Sequence, residues 1–278
     1  MTVLEVLQST TAFFQKRAIE NPRLNAEHLI AHLLGKKRIE LYLAFERPLS
    51  EPELAPLREL VKRRGQGEPL QHLLGTVEFA DHVYLSDKRA LIPRPETEQL
   101  VEYLCDLIWP ENARILDVGT GSGVIALSLA ARFPRAELQA VDLSADALML
   151  ARENAERLGI SGRICFSQCH LLEKAEGAFD LIVANLPYVA ASEAGQLAPE
   201  LRHEPPVALY GGAVGDELIR ELIATAPPHL RPGGLLALEI GINQESSLLD
   251  FLGAKNYHDI SSKKDYAGAA RFLFARYG

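Results

Sequence analysis

Arg114-Ile115-Leu116-Asp117-Val118-Gly119-Thr120-Gly121-Ser122-Gly123 is the stretch that decides the fold. Residues 114–118 read as a short buried strand, and three glycines at alternate positions follow. Val124 to Phe133 then reads as a helix. Glycines between a strand and a helix let the backbone turn tightly and come close to a ligand. The next strand, Glu137 to Val141, runs into Asp142, 19 residues after Gly123. A carboxylate at that place can accept hydrogen bonds from a ribose diol. An ordinary strand-to-helix turn would have no use for this partner. Gly119, Thr120, Gly121, Ser122, Gly123 and Asp142 are therefore read as a site for a nucleotide-like ligand.

Downstream, the alternation continues. Ala145 to Leu158 reads as a helix closed by Gly159, and Ile164 to Ser167, Leu181 to Ala184 and Leu235 to Ile240 as further strands. Strands alternating with helices mean an α/β domain with a parallel sheet covered on both faces. Upstream, the pattern changes. Thr76 to Phe79 and His82 to Leu85 alternate like two strands around Ala80-Asp81 and predict a β-hairpin. Residues 1–75 read as helices. Leu4, Leu7, Phe13 and Phe14 keep near-helical spacing, Asn21-Pro22 marks a boundary, and Gly35 stops the helix that covers Asn25 to Leu34. Ser50-Glu51-Pro52-Glu53 has the spacing of a capping box, opening a helix that ends at Gly65. Lys62, Arg63 and Arg64 in its last turn suit the helix dipole, and holding a partner is the other reading of that basic run. The expected domains are a helical one over 1–75, a hairpin linker over 76–90 and an α/β catalytic domain over 91–278.

The 278 residues suit two domains, and 47% hydrophobic content is ample for a core. Net charge is −8, unevenly spread. Residues 1–90 carry 13 Lys/Arg against 12 Asp/Glu, and the remainder 16 against 25, or −9. An acidic catalytic half is a poor match for bare RNA or DNA, so no direct nucleic acid contact is expected. Cys105, Cys165 and Cys169 form no even framework, which fits a reducing compartment. Cys165 and Cys169 could pass for half a metal site. A buried strand residue plus a loop residue is the plainer reading, because no second Cys/His pair lies nearby, and no metal is expected. No apolar run approaches the ~20 residues of a membrane helix, and Met1 to Glu5 does not open like a signal peptide. A cytoplasmic protein, working as a monomer, is the expectation.

Asp180 to Ala184 leads into Asn185-Leu186-Pro187-Tyr188 at a strand's carboxyl end, where open parallel sheets bind ligands. Asn-x-Pro-Tyr resembles the signature of methyltransferases that act on planar amine or amide nitrogens. A Pro-containing turn is the bland alternative. The chemistry suits the residues. An amide nitrogen is a poor nucleophile because its lone pair is delocalised. The Asn185 side-chain oxygen can accept one N–H and the Leu186 carbonyl the other, aiming that lone pair, while Pro187 stiffens the loop and Tyr188 packs against the planar group. The glycine loop agrees. Its Gly-x-Gly-x-Gly spacing with Asp117 ahead differs from the dinucleotide pattern and resembles the first motif of Rossmann-like methyltransferases. Their cofactor, S-adenosyl-L-methionine, carries a methionine amino group instead of phosphates, so an acidic residue near the loop suits it.

Further strings extend the likeness nearly end to end. They are Gly67-Glu68-Pro69-Leu70-Gln71, Leu91-Ile92-Pro93-Arg94-Pro95-Glu96-Thr97-Glu98, Glu204-Pro205 with Ala208-Leu209-Tyr210-Gly211-Gly212, Arg231-Pro232-Gly233-Gly234, and Glu239-Ile240-Gly241 with Gln244. Together they resemble the release factor glutamine methyltransferases, the HemK/PrmC family. The resemblance implies a Rossmann-like S-adenosylmethionine-dependent domain preceded by a small helical domain that docks a peptide chain release factor. It also implies that the glutamine of a Gly-Gly-Gln tip is methylated. Of these strings, the Pro-Arg-Pro-Glu-Thr-Glu run is the most specific. Physically it reads only as a loop capped into a helix by Thr97 or Glu96. Two positions depart from the family. Leu186 stands where Pro is usual, and Cys169 where Asp is usual. His170 aligns with a position lining the adenine pocket, where its ring could stack, or it is a solvent-facing loop residue. Ribosomal RNA adenine dimethyltransferases share Asn-Leu-Pro-Tyr, but their helical domain follows the catalytic one and they tend to be basic. A ribosomal protein glutamine methyltransferase usually lacks the full Pro-Arg-Pro-Glu-Thr-Glu string. A silent binding module would have no need of an intact Asn185, Pro187 and Tyr188.

Overall fold

Thr2 opens the first helix, α1 (Val3–Lys16), with a capping box: Glu5 N–H donates to its hydroxyl and its own N–H donates to Glu5 Oε2 at 2.8 Å. The computed structural model describes all residues, 1–278. They form two compact units, Met1–Thr76 with Ala198–His203, and Val77–Leu197 with Glu204–Gly278.

In the first unit, α2 (Pro22–Leu33) starts on the proline as expected, and α3 (Glu51–Arg64) carries the predicted box between Ser50 and Glu53. A short α4 (Leu70–Leu74) follows. Val3, Leu7, Phe14, Leu29, Ile30, Leu57 and Leu73 make one core. Glu27 is buried within this unit, and Arg23, Arg38 and Tyr42 all donate to its carboxylate. The basic run at the end of α3 resolves into structure. Arg63 binds Glu68 at 2.7 Å, and buried Arg64 donates to Asn25 at 2.6 Å and pairs with Glu200. Only Lys62 stays exposed.

The second unit begins with the hairpin, β1 (Thr76–Phe79) and β2 (His82–Leu85). Ala80 and Asp81 both take positive φ, the conformation a two-residue hairpin turn of matching twist requires. Phe79 and Tyr84 enter the core of this unit, and the Tyr84 hydroxyl bonds Ser128 at 2.9 Å. The hairpin is thus packed into the α/β unit. Then come α5 (Pro95–Cys105), β3 (Arg114–Val118), α6 (Val124–Arg132), β4 (Glu137–Asp142), α7 (Ala145–Arg157), β5 (Ile164–Gln168) and β6 (Phe179–Asn185). They are followed by β7 (Val189–Ala190), β8 (Tyr210–Gly212), α8 (Glu217–Thr225), β9 (Leu230–Glu239), α9 (Glu245–Ala254), β10 (Tyr257–Lys264) and β11 (Ala270–Tyr277).

One seven-stranded sheet has the order β10-β11-β9-β6-β3-β4-β5. From β9 to β5 all neighbours are parallel, as the alternation predicts. Successive residues face opposite cores. Ile115, Leu181 and Ala237 face one, and Leu116, Ile182 and Leu236 the other. Two features differ from the sequence reading. The sheet ends in an antiparallel pair, β11 on β9 and β10 on β11. Here β10 is an edge strand rich in charge, which hides a strand pattern while guarding the edge. The second difference is α5, whose N-cap is Arg94 with Pro95 in the first turn and no side-chain cap. Neither Thr97 nor Glu96 caps it, because Thr97 is buried and its hydroxyl is used elsewhere.

Candidate active site

β3, β4, β6 and β9 lie side by side and parallel, so the residues that follow them gather at one edge of the sheet. After β3, the N–H groups of Gly119 and Thr120 donate to the Val141 carbonyl at 2.9 and 3.0 Å, which seats the glycine loop on β4. Gly119, Gly121 and Gly123 all have positive φ. A Cβ at Gly123 would stand 2.9 Å from Leu127 and 3.1 Å from Ala151, so the third glycine lets α6 and α7 close together. Asn154, fully buried on α7, donates to the Ser122 carbonyl and accepts from Leu85 N–H, tying loop and hairpin to one amide.

Asp117 is the surprise of the loop. It is fully buried. Its Oδ2 accepts from the Thr120 hydroxyl at 2.6 Å and from Ala126 N–H at 3.1 Å, while Oδ1 has no partner. It is turned into the protein, where it holds the loop and the start of α6. Burial pushes it up to about 7, against the pull of Thr120 and Ala126, with nearby Asp142 adding to the rise. Asp142 itself accepts from Gly121 and Ser144 N–H groups, each at 2.8 Å, and is also raised by burial.

The cleft in front of the loop holds roughly 1040 Å³ of empty space, its open mouth included. Of the residues read from the sequence, Gly119, Thr120, Gly121, Ser122, Asp142, His170, Asn185, Leu186 and Pro187 line it. Gly123 sits behind them as a packing residue. His170 is half-buried, with Nδ1 at 3.5 Å from Glu221. The cysteines reverse the expected burial, since Cys165 is exposed on the edge strand β5 and Cys169 is buried beside the cleft, its thiol donating to the Leu171 carbonyl. The remaining residue of the tetrapeptide, Tyr188, stands off this lining. Its ring packs against Gly241 with the Arg271 guanidinium 5.9 Å away, and burial raises its hydroxyl to about 12.

The Asn185 carboxamide is held from behind. Its Nδ2 donates to Thr97 Oγ1 at 2.9 Å, and that hydroxyl donates to Glu239 Oε2 at 2.8 Å. No hydrogen bond of the chain reaches Asn185 Oδ1, and it is not among the buried polar atoms. It is left open on the cleft. Glu239 is only 1% exposed, and burial raises it to about 7, opposed by Thr97 and Arg271. Beside Asn185, the Leu186 side chain lies so close to Gly119 that a Cβ there would be 2.9 Å from Cδ2. Behind Pro187, Gly211 of β8 leaves no room for a side chain, since its Cβ would meet the Pro187 carbonyl at 2.3 Å. Buried Glu204 accepts from Ile92 N–H at 2.9 Å and pairs with Arg94, fixing the stretch that leads into α5. The physical roles of Thr97, Glu239 and Glu204 escape a reading of the sequence. Their partners lie 88 to 142 positions away. The only signal is that all three stand in the family's strings.

The residues fit an adenosyl amino acid. The loop offers bare backbone, and a Cβ at Gly121 would meet nothing nearer than Ala90 at 4.0 Å. Asp142 could accept from a diol and His170 could offer its ring, since both line a cleft of the right order of size. This fold with this cleft defines a Rossmann-like methyltransferase. The Methyltransferase small domain model matches residues 95–209, and the PrmC N-terminal domain model matches residues 5–75. Among solved structures, the catalytic domain of hMettl16 in complex with the MAT2A 3'UTR hairpin 6 shares the fold, with a TM-score of 0.57 at 15% identity over 81% of this chain and 82% of that one. A release factor glutamine methyltransferase of Chlorobaculum tepidum is 40% identical, covering 95% of this chain and 94% of its own. The one from Geobacter sulfurreducens is 39% identical over 100% and 97%. The human MTRF1L release factor glutamine methyltransferase is 34% identical over 99% and 87%. The chain belongs to the release factor glutamine methyltransferase family, a family of S-adenosylmethionine-dependent enzymes. No helix is long and apolar enough to cross a membrane.

Proposed function

We propose that this chain methylates the side-chain amide nitrogen of the glutamine in the Gly-Gly-Gln motif of peptide chain release factors. The observation that carries the reading is the Asn185 carboxamide, held by its nitrogen from behind with its oxygen open on the cleft beside the glycine loop. The names of the full-length relatives supply the substrate. The −9 charge of residues 91–278 favours a protein over a nucleic acid. The helical unit, matched by the PrmC N-terminal domain model, is proposed to dock the release factor, with the enzyme acting as a monomer.

S-adenosylmethionine supplies an electrophilic methyl group when bound. The glycine loop, Asp142 and His170 would hold its methionine, ribose and adenine parts. Cys169 offers no carboxylate acceptor there, so His170 stacking and the apolar wall carry more of the adenine contact. Asn185 Oδ1 accepts one N–H of the glutamine amide and the Leu186 carbonyl accepts the other. The two acceptors hold the nitrogen and turn its lone pair toward the methyl group. Their dipoles also favour the positive charge that grows on nitrogen. Leu186 serves as well as proline for this role, because the contact is through backbone and its side chain is locked over Gly119. No strong base is needed, since the methylated nitrogen is acidic and loses its proton to solvent.

Mass spectrometry of a purified release factor, incubated with this protein and S-adenosylmethionine, tests the reading. The expected result is one methyl on the Gly-Gly-Gln glutamine. With Asn185→Ala, transfer falls at least about 10²–10³-fold while calorimetric affinity for S-adenosylhomocysteine is kept. Label entering ribosomal protein or ribosomal RNA instead would overturn the substrate, and an active Asn185→Ala enzyme would overturn the catalytic role.

A further inference from the structure

We infer that Thr97 and Glu239 are positioning residues for the transfer, fixing which end of the Asn185 carboxamide meets the substrate. The inference rests on the reading that Asn185 accepts the substrate N–H. The two ends of a carboxamide have nearly the same shape but opposite hydrogen-bonding sense. Rotating Asn185 by half a turn would present NH₂ to the NH₂ of the substrate glutamine, donor against donor. Something in the fold must forbid that rotation, and the hydrogen-bond chain behind Asn185 does so.

The Thr97 hydroxyl has one proton. A carboxylate at 239 can only accept, so it claims that proton. Thr97 is then left with lone pairs alone for Asn185, and the nitrogen must turn inward. Oδ1 is turned to the cleft as a consequence. The register of the sheet makes the arrangement possible, since Asn185 and Glu239 are paired neighbours at the ends of β6 and β9. The buried Thr97 side chain from α5 bridges them, and the Glu239 carboxylate also draws the Asn185 amide N–H directly, more weakly.

The chain works only while Glu239 is charged. A protonated Glu239 can donate to Thr97, whose own proton is then free for Asn185 Oδ1, and the rotated amide becomes equally satisfied. The groups facing Glu239 are few. Arg271 comes from β11, Glu96 from α5, and Asn185 and Tyr188 from the end of β6 and the loop after it. Arg271 favours the charge and Glu96 opposes it. No ion pair within 4 Å neutralises the carboxylate, because Arg271 donates to the Ile240 carbonyl and sits beside Asp265. Burial brings Glu239 to about 7, so turnover is expected to fall as pH drops below neutrality.

Steady-state methylation of an intact release factor by the full chain tests this, across pH 5.5 to 8.5 and with kcat separated from KM. T97V is expected to lower kcat about 10–100-fold with KM and S-adenosylhomocysteine affinity little changed, the size expected for a misaimed reacting group. T97S restores the hydroxyl and should recover kcat to within about threefold, which a merely structural role for the threonine methyl would not do. The parent enzyme should show an acid limb in kcat near pH 7. E239Q cannot titrate and should flatten it. T97V within threefold of the parent enzyme, or an acid limb that survives E239Q, would overturn the inference while an inactive N185A left the catalytic reading intact. An active N185A would overturn both. Melting curves accompany each variant, and the E239Q profile decides the matter alone if T97V folds poorly.

Discussion

Glu27 in the first unit and Asp117 in the second are both buried acids, and their surroundings differ in kind. Burial would raise Glu27, but hydrogen bonds from Arg38, Arg23 and Tyr42 outweigh it and hold the carboxyl low. Asp117 has a hydroxyl and one backbone N–H, no cation, and an orphan oxygen. It is pushed up. The same contrast runs through the molecule. Glu51 and Glu68 in the helical unit each answer to an arginine and are lowered, and Glu53 is lowered chiefly by the Ser50 N–H and hydroxyl of its capping box, with Arg47 adding less. Asp117, Asp142 and Glu239, at the carboxyl ends of strands, are all raised. Glu27, Glu51 and Glu68 are each given a counter-charge. Asp117, Asp142 and Glu239 have no ion-pair partner, whereas Glu204, also near the cleft, pairs with Arg94; such uncompensated acids are where a chain departs from its own stability for the sake of chemistry.

The sharpest way to break this contrast is stability against pH. Asp117 rises from 3.8 to about 7 on folding, so between those values the folded protein holds a proton that the unfolded chain has released. Stability therefore falls as pH climbs through that window, by on the order of 4 kcal/mol if the whole shift is realised. Asp117→Asn keeps an oxygen for Thr120 and Ala126 and should make that slope shallower in denaturant titrations at pH 4 and pH 8, with Glu239 and Asp142 supplying what remains. An unchanged slope would deny that Asp117 is strained. Glu27 has the opposite sign. Its lowered carboxyl lends stability above the unfolded value of 4.5, and this is lost as pH falls through the lower folded value. Glu27→Gln strips charge from the buried end of two arginine contacts and should cost roughly 1–3 kcal/mol at pH 7 by chemical denaturation. The smallest effect belongs to Arg58→Ala. Its partner Glu51 is fully in solvent, and the melting temperature should not move measurably. A clear loss there would mean that surface pairs carry the helical unit.

The parts of the site that could be read in sequence are those in which chemistry is local. Gly119 to Gly123 and Asp142 announce themselves because a strand, a turn and a helix must follow in that order. Asn185-Leu186-Pro187-Tyr188 does so because it sits at a strand end. The box at Ser50 and Glu53 needs only three residues' spacing. What stayed hidden depends on the sheet's closing. Thr97 reads as a cap until β9 brings Glu239 to it. Asp117 reads as a ligand's partner until burial turns it inward. Tyr188 reads as packing against the substrate's planar group, and only the fold shows that its ring lies against Gly241. The β10–β11 pair is hidden for another reason. An edge strand protects itself with the polar residues that make it look like a loop.

The parallel pairing of Val189 with Tyr210 across β7 and β8 gives the catalytic loop an inheritance of its own. The segment between them leaves and returns beside this strand pair, and Glu204 pins its returning limb to Ile92 and Arg94. Gly211, pressed between the Pro187 and Gly215 carbonyls, leaves the backbone beside Asn185 no room to shift, so a single missing side chain sets where the amide-binding loop can stand.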